Sequence, residues 1–175
     1  MAYSGKHIFF DLDRTLWDFD KNSERALRIL FEECGLAQHI PSFESFQKVY
    51  YNKNKALWHA YSIGKISKES LRYERFRSTL KKFQLTDESL IKRFGDGYVD
   101  LSPKQTALVP FAEEVISDLK DMGFTLHIIT NGFLVSKILM DLLVTIAESR
   151  LINEESSFCA ETLIEKISDF KKINI

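Results

Sequence analysis

Two short apolar runs constrain this chain more than any other feature. His7-Ile8-Phe9-Phe10 lies near the start, and Phe124-Thr125-Leu126-His127-Ile128-Ile129 lies far downstream. Runs of this kind suit strands buried on both faces of a parallel sheet. The first is too short for a helix, and Asp11 and Asp13 follow it at once. Between the two runs the pattern is helical from Asn22 to about Leu101. Strand, long helical block, helix, strand is the order expected of an α/β core carrying a helical cap as an insert.

The helices are read from three- and four-residue apolar spacing. Ala26, Leu27, Leu30, Phe31 and Cys34 form the first stripe, with Asn22 or Ser23 as its cap and Gly35 as its left-handed stop. A second segment runs from about Ser42 to Tyr61 with Phe43, Phe46, Val49, Tyr50, Leu57 and Tyr61. A third follows Ser67 with Leu71, Phe76, Leu80 and Phe83, and a fourth covers roughly Asp87 to Val99. Pro110 is expected to open another helix, with Val115, Ile116, Leu119 and Met122 facing one way and Gly123 ending it. The downstream stretch holds a further apolar helical pattern at Ile138, Leu139, Leu142, Leu143 and Ile146.

Composition narrows the function. With 175 residues, 45% hydrophobic and 28% charged, the chain fits one globular domain or one domain with a small insert. A net charge of −1, with the two signs mixed along the chain, argues against a nucleic-acid polymer or a membrane surface as partner. Cys34 and Cys159 match no metal-ligand spacing and read as reduced thiols, as in a cytoplasmic protein. Neither a secretory signal nor a span of about 18 apolar residues is found.

Ligands of open parallel sheets bind at the carboxyl ends of strands. Asp11 and Asp13 follow the first strand; Thr130, Asn131 and Gly132 follow the second. If the strands are neighbours, these groups converge. A carboxylate can attack phosphorus and form an acyl phosphate, splitting one hard step into two. Magnesium with oxygen ligands offsets the repulsion between the two anions. A second carboxyl can protonate the leaving oxygen and later activate water. A hydroxyl and turn amides can hold phosphoryl oxygens.

The stretch Phe9-Phe10-Asp11-Leu12-Asp13-Arg14-Thr15-Leu16 resembles the first motif of the haloacid dehalogenase-like hydrolase superfamily, and Ile128-Ile129-Thr130-Asn131-Gly132-Phe133 resembles its second. Trp17-Asp18-Phe19-Asp20, Leu57-Trp58, Tyr61, Gly64, Ile66, Leu71 and Arg75-Phe76 are similar to the pyrimidine 5′-nucleotidases within it. The resemblance implies a Rossmann-like parallel-sheet core, residues 1–16 and 104–175, with an α-helical cap over 17–103. It implies Asp11 as nucleophile, Asp13 as general acid/base, both at a Mg2+ site, and Thr130, Asn131 and Gly132 around the phosphate. The substrate it implies is a small phosphate ester, a nucleoside 5′-monophosphate before others. Trp17, Phe19, Trp58, Tyr61 and Arg75 are candidates for the pocket between cap and core, although aromatic residues at helical spacing are usually core.

The family's lysine and its later acidic pair have no match after Phe133, so the expectation is a core incomplete at its C-terminal side, a truncated or frame-shifted copy. A catalytically impaired remnant, a phosphosugar phosphatase or mutase, and a dehalogenase stay open as alternatives. An intact Asp13 favours ester cleavage, because a halide needs no acid to leave. Gly95-Asp96-Gly97-Tyr98-Val99-Asp100 spells something like the missing acidic motif, but it falls inside the helical block. His127 reads as packed rather than catalytic, and His7, His39 and His59 show no partner spacing.

Overall fold

The computed structural model describes residues 7–128. The chain runs through β1 (His7–Phe10), α1 (Phe19–Glu33), α2 (Phe43–Ser62), α3 (Lys68–Lys81), α4 (Glu88–Leu101), α5 (Ala112–Asp121) and β2 (Thr125–Ile128), with short 3-10 turns at Leu36–Gln38 and Ser102–Lys104. β1 and β2 pair in parallel, with His7 opposite Thr125 and Phe10 opposite Ile128. This is a helix-rich α/β fold, and both strands present their carboxyl ends at the same side. Among the described residues no helix is long and apolar enough to cross a membrane.

The helices start where short polar side chains can take orphan amides. Ser42, Ser67 and Asp87 accept from Ser45, Ser70 and Ser89 at the starts of α2, α3 and α4. Each such cap contributes about 1 kcal/mol. α1 departs from expectation: its cap is Asp18, which accepts from the Lys21 amide, and the helix already begins at Phe19. Asn22 and Ser23 lie fully buried inside it and make tertiary hydrogen bonds instead. Gly35 takes the left-handed conformation that stops the helix (φ 64°).

Two apolar clusters form. The larger gathers Leu27, Leu30, Phe31, Phe46, Tyr50, Phe76, Phe94 and Tyr98 from α1–α4. The smaller joins Leu12, Leu16 and Trp17 to Ala112 and Ile116 of α5, with Phe10, Leu126 and Ile128 against them. α5 begins at Ala112 rather than Pro110, after Phe111 at φ 67°. It buries Ile116 and leaves Val115 and Met122 exposed, so its apolar face is narrower than the spacing suggested.

The first strand is not buried on both faces. Phe10, Leu126 and Ile128 face the α5 side, whereas Phe9 is 51% exposed and stacks on the His127 ring at 4.6 Å. Among the described residues the sheet has two strands, and α5 covers one face. His7 does have a partner: its Nδ1 lies 2.8 Å from His127 Nε2, a neighbour that only the sheet register reveals.

The Gly95 to Asp100 stretch lies in α4. Asp96 accepts from the Arg72 guanidinium at 2.6 Å and the Tyr73 hydroxyl at 2.9 Å, tying α4 to α3. A Cβ on Gly97 would lie 2.6 Å from Leu30 Cδ2, and one on Gly95 would strike the Tyr73 ring. The motif look-alike is a packing device.

Candidate active site

β1 ends at Phe10, and the chain then turns sharply. The Leu12 carbonyl accepts from the amides of Thr15 (3.3 Å), Leu16 (3.0 Å) and Trp17 (3.0 Å), and the Arg14 amide donates to the Trp17 carbonyl at 2.8 Å. Arg14 sits at φ 62°, a conformation that costs a non-glycine residue about 1–2 kcal/mol. The loop is anchored outside itself as well: Val109 donates to the Leu16 carbonyl and Asp18 donates to the Ala107 carbonyl, each at 3.0 Å. A carboxylate pair after a strand is thereby held on a turn clamped from several directions.

Asp11 is exposed, and its Oδ1 accepts from the Leu12 amide at 2.9 Å. Asp13 is half-buried. Burial first, and then the neighbouring Asp11 charge, push its carboxyl above the ordinary 3.8, with Arg14 pulling the other way. The turn uses the carbonyls of Leu12 and Trp17, and no backbone donor reaches the Asp13 carbonyl among the described residues. Arg14 grips Asp20 through two hydrogen bonds (2.9 and 2.7 Å), with its guanidinium 4.6 Å from the centre of the Phe19 ring.

Asp11 and Asp13 open into a cleft of ≈ 550 Å³. Its other walls are Arg14, Phe19 and Asp20 on one side and Tyr51, Asn54, Lys55 and Trp58 of α2 on the other. The volume is within the usual range for a small-molecule site. Asn54 is 8% exposed, and its Oδ1 has no hydrogen-bond partner among the described residues. A buried acceptor left in this state costs about 1–3 kcal/mol.

The expected pocket residues divide. Phe19 and Trp58 line the cleft. Trp17 does not: it is 5% exposed in the smaller cluster, and its indole N–H donates to the Gln105 carbonyl at 2.9 Å. Tyr61 lies outside the lining and packs edge-on to Trp58, with centroids 5.8 Å apart. Arg75 is also outside it, 5% exposed among the α1–α4 core residues, its guanidinium 4.6 Å from the Tyr98 ring centre. Both departures follow from helical facing, because α2 and α3 turn these positions toward their neighbours. Thr130, Asn131 and Gly132 lie outside the described residues.

Arg14, Asp20, Tyr51, Asn54 and Lys55 are wall residues that sequence reasoning missed. A signal for three of them was present: Tyr51, Asn54, Lys55 and Trp58 follow the i, i+3, i+4, i+7 spacing of a single helix face. Asn54 also interrupts the buried series Phe43, Phe46, Tyr50 with a polar group.

The haloacid dehalogenase-like hydrolase family profile matches residues 6–154. The HAD-hydrolase YfnB of Bacillus subtilis is 32% identical over 126 residues, 71% of this chain and 50% of the relative. The pyrimidine 5′-nucleotidase PynA of Streptococcus pneumoniae is 32% identical over 128 residues (73% and 51%), and the pyrimidine 5′-nucleotidase YjjG of Escherichia coli is 29% identical over 126 (72% and 51%). The crystal structure of YfnB bound to magnesium superposes with a TM-score of 0.64 at 29% identity, covering 74% of this chain and 54% of that one. The chain thus spans about half the length of the relatives it matches.

Proposed function

We propose that this chain, which belongs to the haloacid dehalogenase-like hydrolases, carries the nucleophile and the substrate cleft of a magnesium-dependent phosphatase acting on nucleoside 5′-monophosphates. One observation supports the reading above the rest: Asp11 and Asp13, on a clamped turn at the carboxyl end of a parallel strand, share a cleft with an aromatic and polar face of α2. The pyrimidine 5′-nucleotidase relatives favour nucleotides as the substrate class.

The chemistry follows from the donor types. Asp11 Oδ1 is held by the Leu12 amide, which leaves the other oxygen to attack phosphorus. As the new P–O bond to Asp11 forms, the ester P–O bond breaks, and Asp13 gives its proton to the leaving oxygen. Water then attacks the aspartyl phosphate and passes its proton to Asp13, releasing phosphate and restoring Asp11. Burial of Asp13 fits the acid role, because it keeps the proton on to higher pH than in an exposed aspartate.

The donor set at the strand end suits magnesium. The Asp11 carboxylate and the Asp13 carbonyl are hard oxygen donors, and three carboxylates against two cations line the cleft. Among the described residues no cluster of three acidic, His or Cys groups forms; magnesium commonly keeps several waters and takes one or two carboxylates besides phosphate oxygens. When bound, the ion supplies charge neutralisation for the attack of one anion on another. Thr130, Asn131 and Gly132 are proposed as phosphate-binding residues on the strength of their motif.

Phosphate release from a panel of nucleoside 5′-monophosphates and sugar phosphates, with magnesium and with chelator, tests the reading. Nucleotides are expected to react at least about tenfold faster than sugar phosphates, and only with magnesium, a tenfold ratio being about 1.4 kcal/mol of transition-state binding. Equal rates for both classes would point to another ester, and release in chelator would remove the metal from the account.

A further inference from the structure

We infer that His7 and His127 form a binding site for a divalent transition-metal ion of the imidazole-binding class, such as nickel or copper, and that the ion staples β1 to β2. The site is separate from the cleft. His7 opens β1, and Asp11 follows its last residue, about 13 Å further along the strand direction.

The two imidazoles lie 120 residues apart in the chain and are brought together by register. Parallel pairing sets His7 opposite Thr125 and Phe9 opposite His127. Strand alternation then puts His7, Phe9, Thr125 and His127 on one face of the sheet. It is the face away from α5, because Phe10, Leu126 and Ile128 pack with Ile116 on the other. His7 and His127 are diagonal neighbours there, a spacing that aromatic side chains can bridge. Phe9 stacks on the His127 ring, with centroids 4.6 Å apart and planes 19° apart, and so holds the ring plane. His127 Nε2 thereby lies 2.8 Å from His7 Nδ1, on an exposed part of the sheet.

Without metal, one of these nitrogens keeps its proton and donates to the other. An exposed N–H···N bond contributes little, since water serves either ring as well. An ion that takes the place of the shared proton engages both lone pairs. A turn of each ring about its broad χ2 torsion aims them at one point. Imidazole nitrogen binds such ions at about 2.0–2.1 Å, which puts two donors about 2.9 Å apart at a right angle and about 3.3 Å apart at the tetrahedral angle. The 2.8 Å separation is close to that of adjacent positions in a square-planar or octahedral shell. Imidazole suits nickel, copper and zinc; magnesium takes oxygen donors instead. Two protein ligands leave the remaining positions to water, in keeping with the lack of a three-residue cluster among the described residues. The ion would close the chain around the whole helical block, so that binding and the β1–β2 pairing stabilise each other.

Thermal melting of the full chain at neutral pH, with and without nickel, tests this. With nickel at about a hundredfold excess over its Kd, the wild-type midpoint is expected to rise by at least about 4 °C. His7→Gln and His127→Gln, each compared with its own metal-free midpoint, are expected to lose the rise. Asp11→Asn and His59→Gln are expected to keep it, which separates this site from the cleft and from a lone surface histidine. Copper at less than one equivalent on the wild-type chain is expected to show coupling to two imidazole nitrogens in electron paramagnetic resonance, so a histidine variant that fails to fold leaves the site testable. No nickel binding, a rise that survives in either His7→Gln or His127→Gln, a rise lost in Asp11→Asn, or copper coupled to fewer than two nitrogens would each overturn the assignment. None of these readouts involves phosphate release, so the result is independent of the phosphatase reading.

Discussion

The Asn22 carboxamide and the Ala107 backbone exchange two hydrogen bonds, of 2.7 and 2.9 Å, across 85 residues of sequence. This pair ties the first turn of α1 to the segment that leads into α5. Beside it, the Asp18 amide donates to the same Ala107 carbonyl. α1 and the turn that carries Asp11 and Asp13 thus share one backbone anchor. Asn22→Leu removes both bonds and leaves the part-buried Ala107 amide without its acceptor, while the Ala107 carbonyl keeps the Asp18 amide, and a loss of about 1–3 kcal/mol is expected in urea unfolding. Because the anchor positions the turn, the same variant is expected to bind nucleotide more weakly than its stability loss alone explains.

Asp96 links acid stability to the α3–α4 contact. Its hydrogen bonds from Lys92 and Tyr73, with Arg72 close by, hold its carboxyl below the ordinary 3.8. A folded-state value below the unfolded one makes the contribution complete above the unfolded value and lost as pH falls through the folded one. Wild type is therefore expected to exceed Asp96→Asn in urea midpoint at pH 7. The gap is expected to close below about pH 4, where the unfolded carboxylate begins to take up its proton. A gap that stays constant to pH 3 would remove Asp96 from the acid response.

Gly97 lets α4 approach α1. A Cβ there would lie 2.6 Å from the end of Leu30, which is 2% exposed and has little room to yield. Alanine gains about 1 kcal/mol of helix propensity over glycine, against an overpacking cost of about 1–3 kcal/mol. Gly97→Ala is thus expected to be neutral to destabilising, whereas an open glycine on a helix surface would be stabilised. A raised melting midpoint would show that Leu30 moves aside freely.

The sequence showed the order of elements and the place of Asp11 and Asp13 at a strand end because both rest on local patterns. A four-residue apolar run, an Asp-x-Asp and helical stripes are visible without tertiary knowledge. What it did not show depends on facing and register. Trp17 and Arg75 looked like pocket residues from position along the chain, yet each points into a core. Asn54 looked like an ordinary polar helix residue, although it interrupts the buried series Phe43, Phe46, Tyr50. Asn22 looked like a cap, and the true cap is Asp18. The His7–His127 contact depends on pairing β1 with β2 in one register.

The acid role proposed for Asp13 predicts that substrates separate by leaving group. A nucleoside alkoxide needs a proton to depart, whereas p-nitrophenolate does not. Asp13→Asn is expected to slow uridine monophosphate hydrolysis by about 10²–10⁴-fold and p-nitrophenyl phosphate far less in the first step. Equal slowing of phosphorylation by both substrates, read in single-turnover kinetics, would assign Asp13 a role other than the acid.

The central claim is that Asp11 is the nucleophile, and it is tested most directly by single-turnover reaction with phosphate-labelled uridine monophosphate in magnesium, followed by acid quench and peptide mapping. The account predicts label on the peptide carrying Asp11 in wild type, with neither label nor phosphate release in Asp11→Asn. Phosphate released by Asp11→Asn at the wild-type rate, or label recovered on another residue, would contradict it.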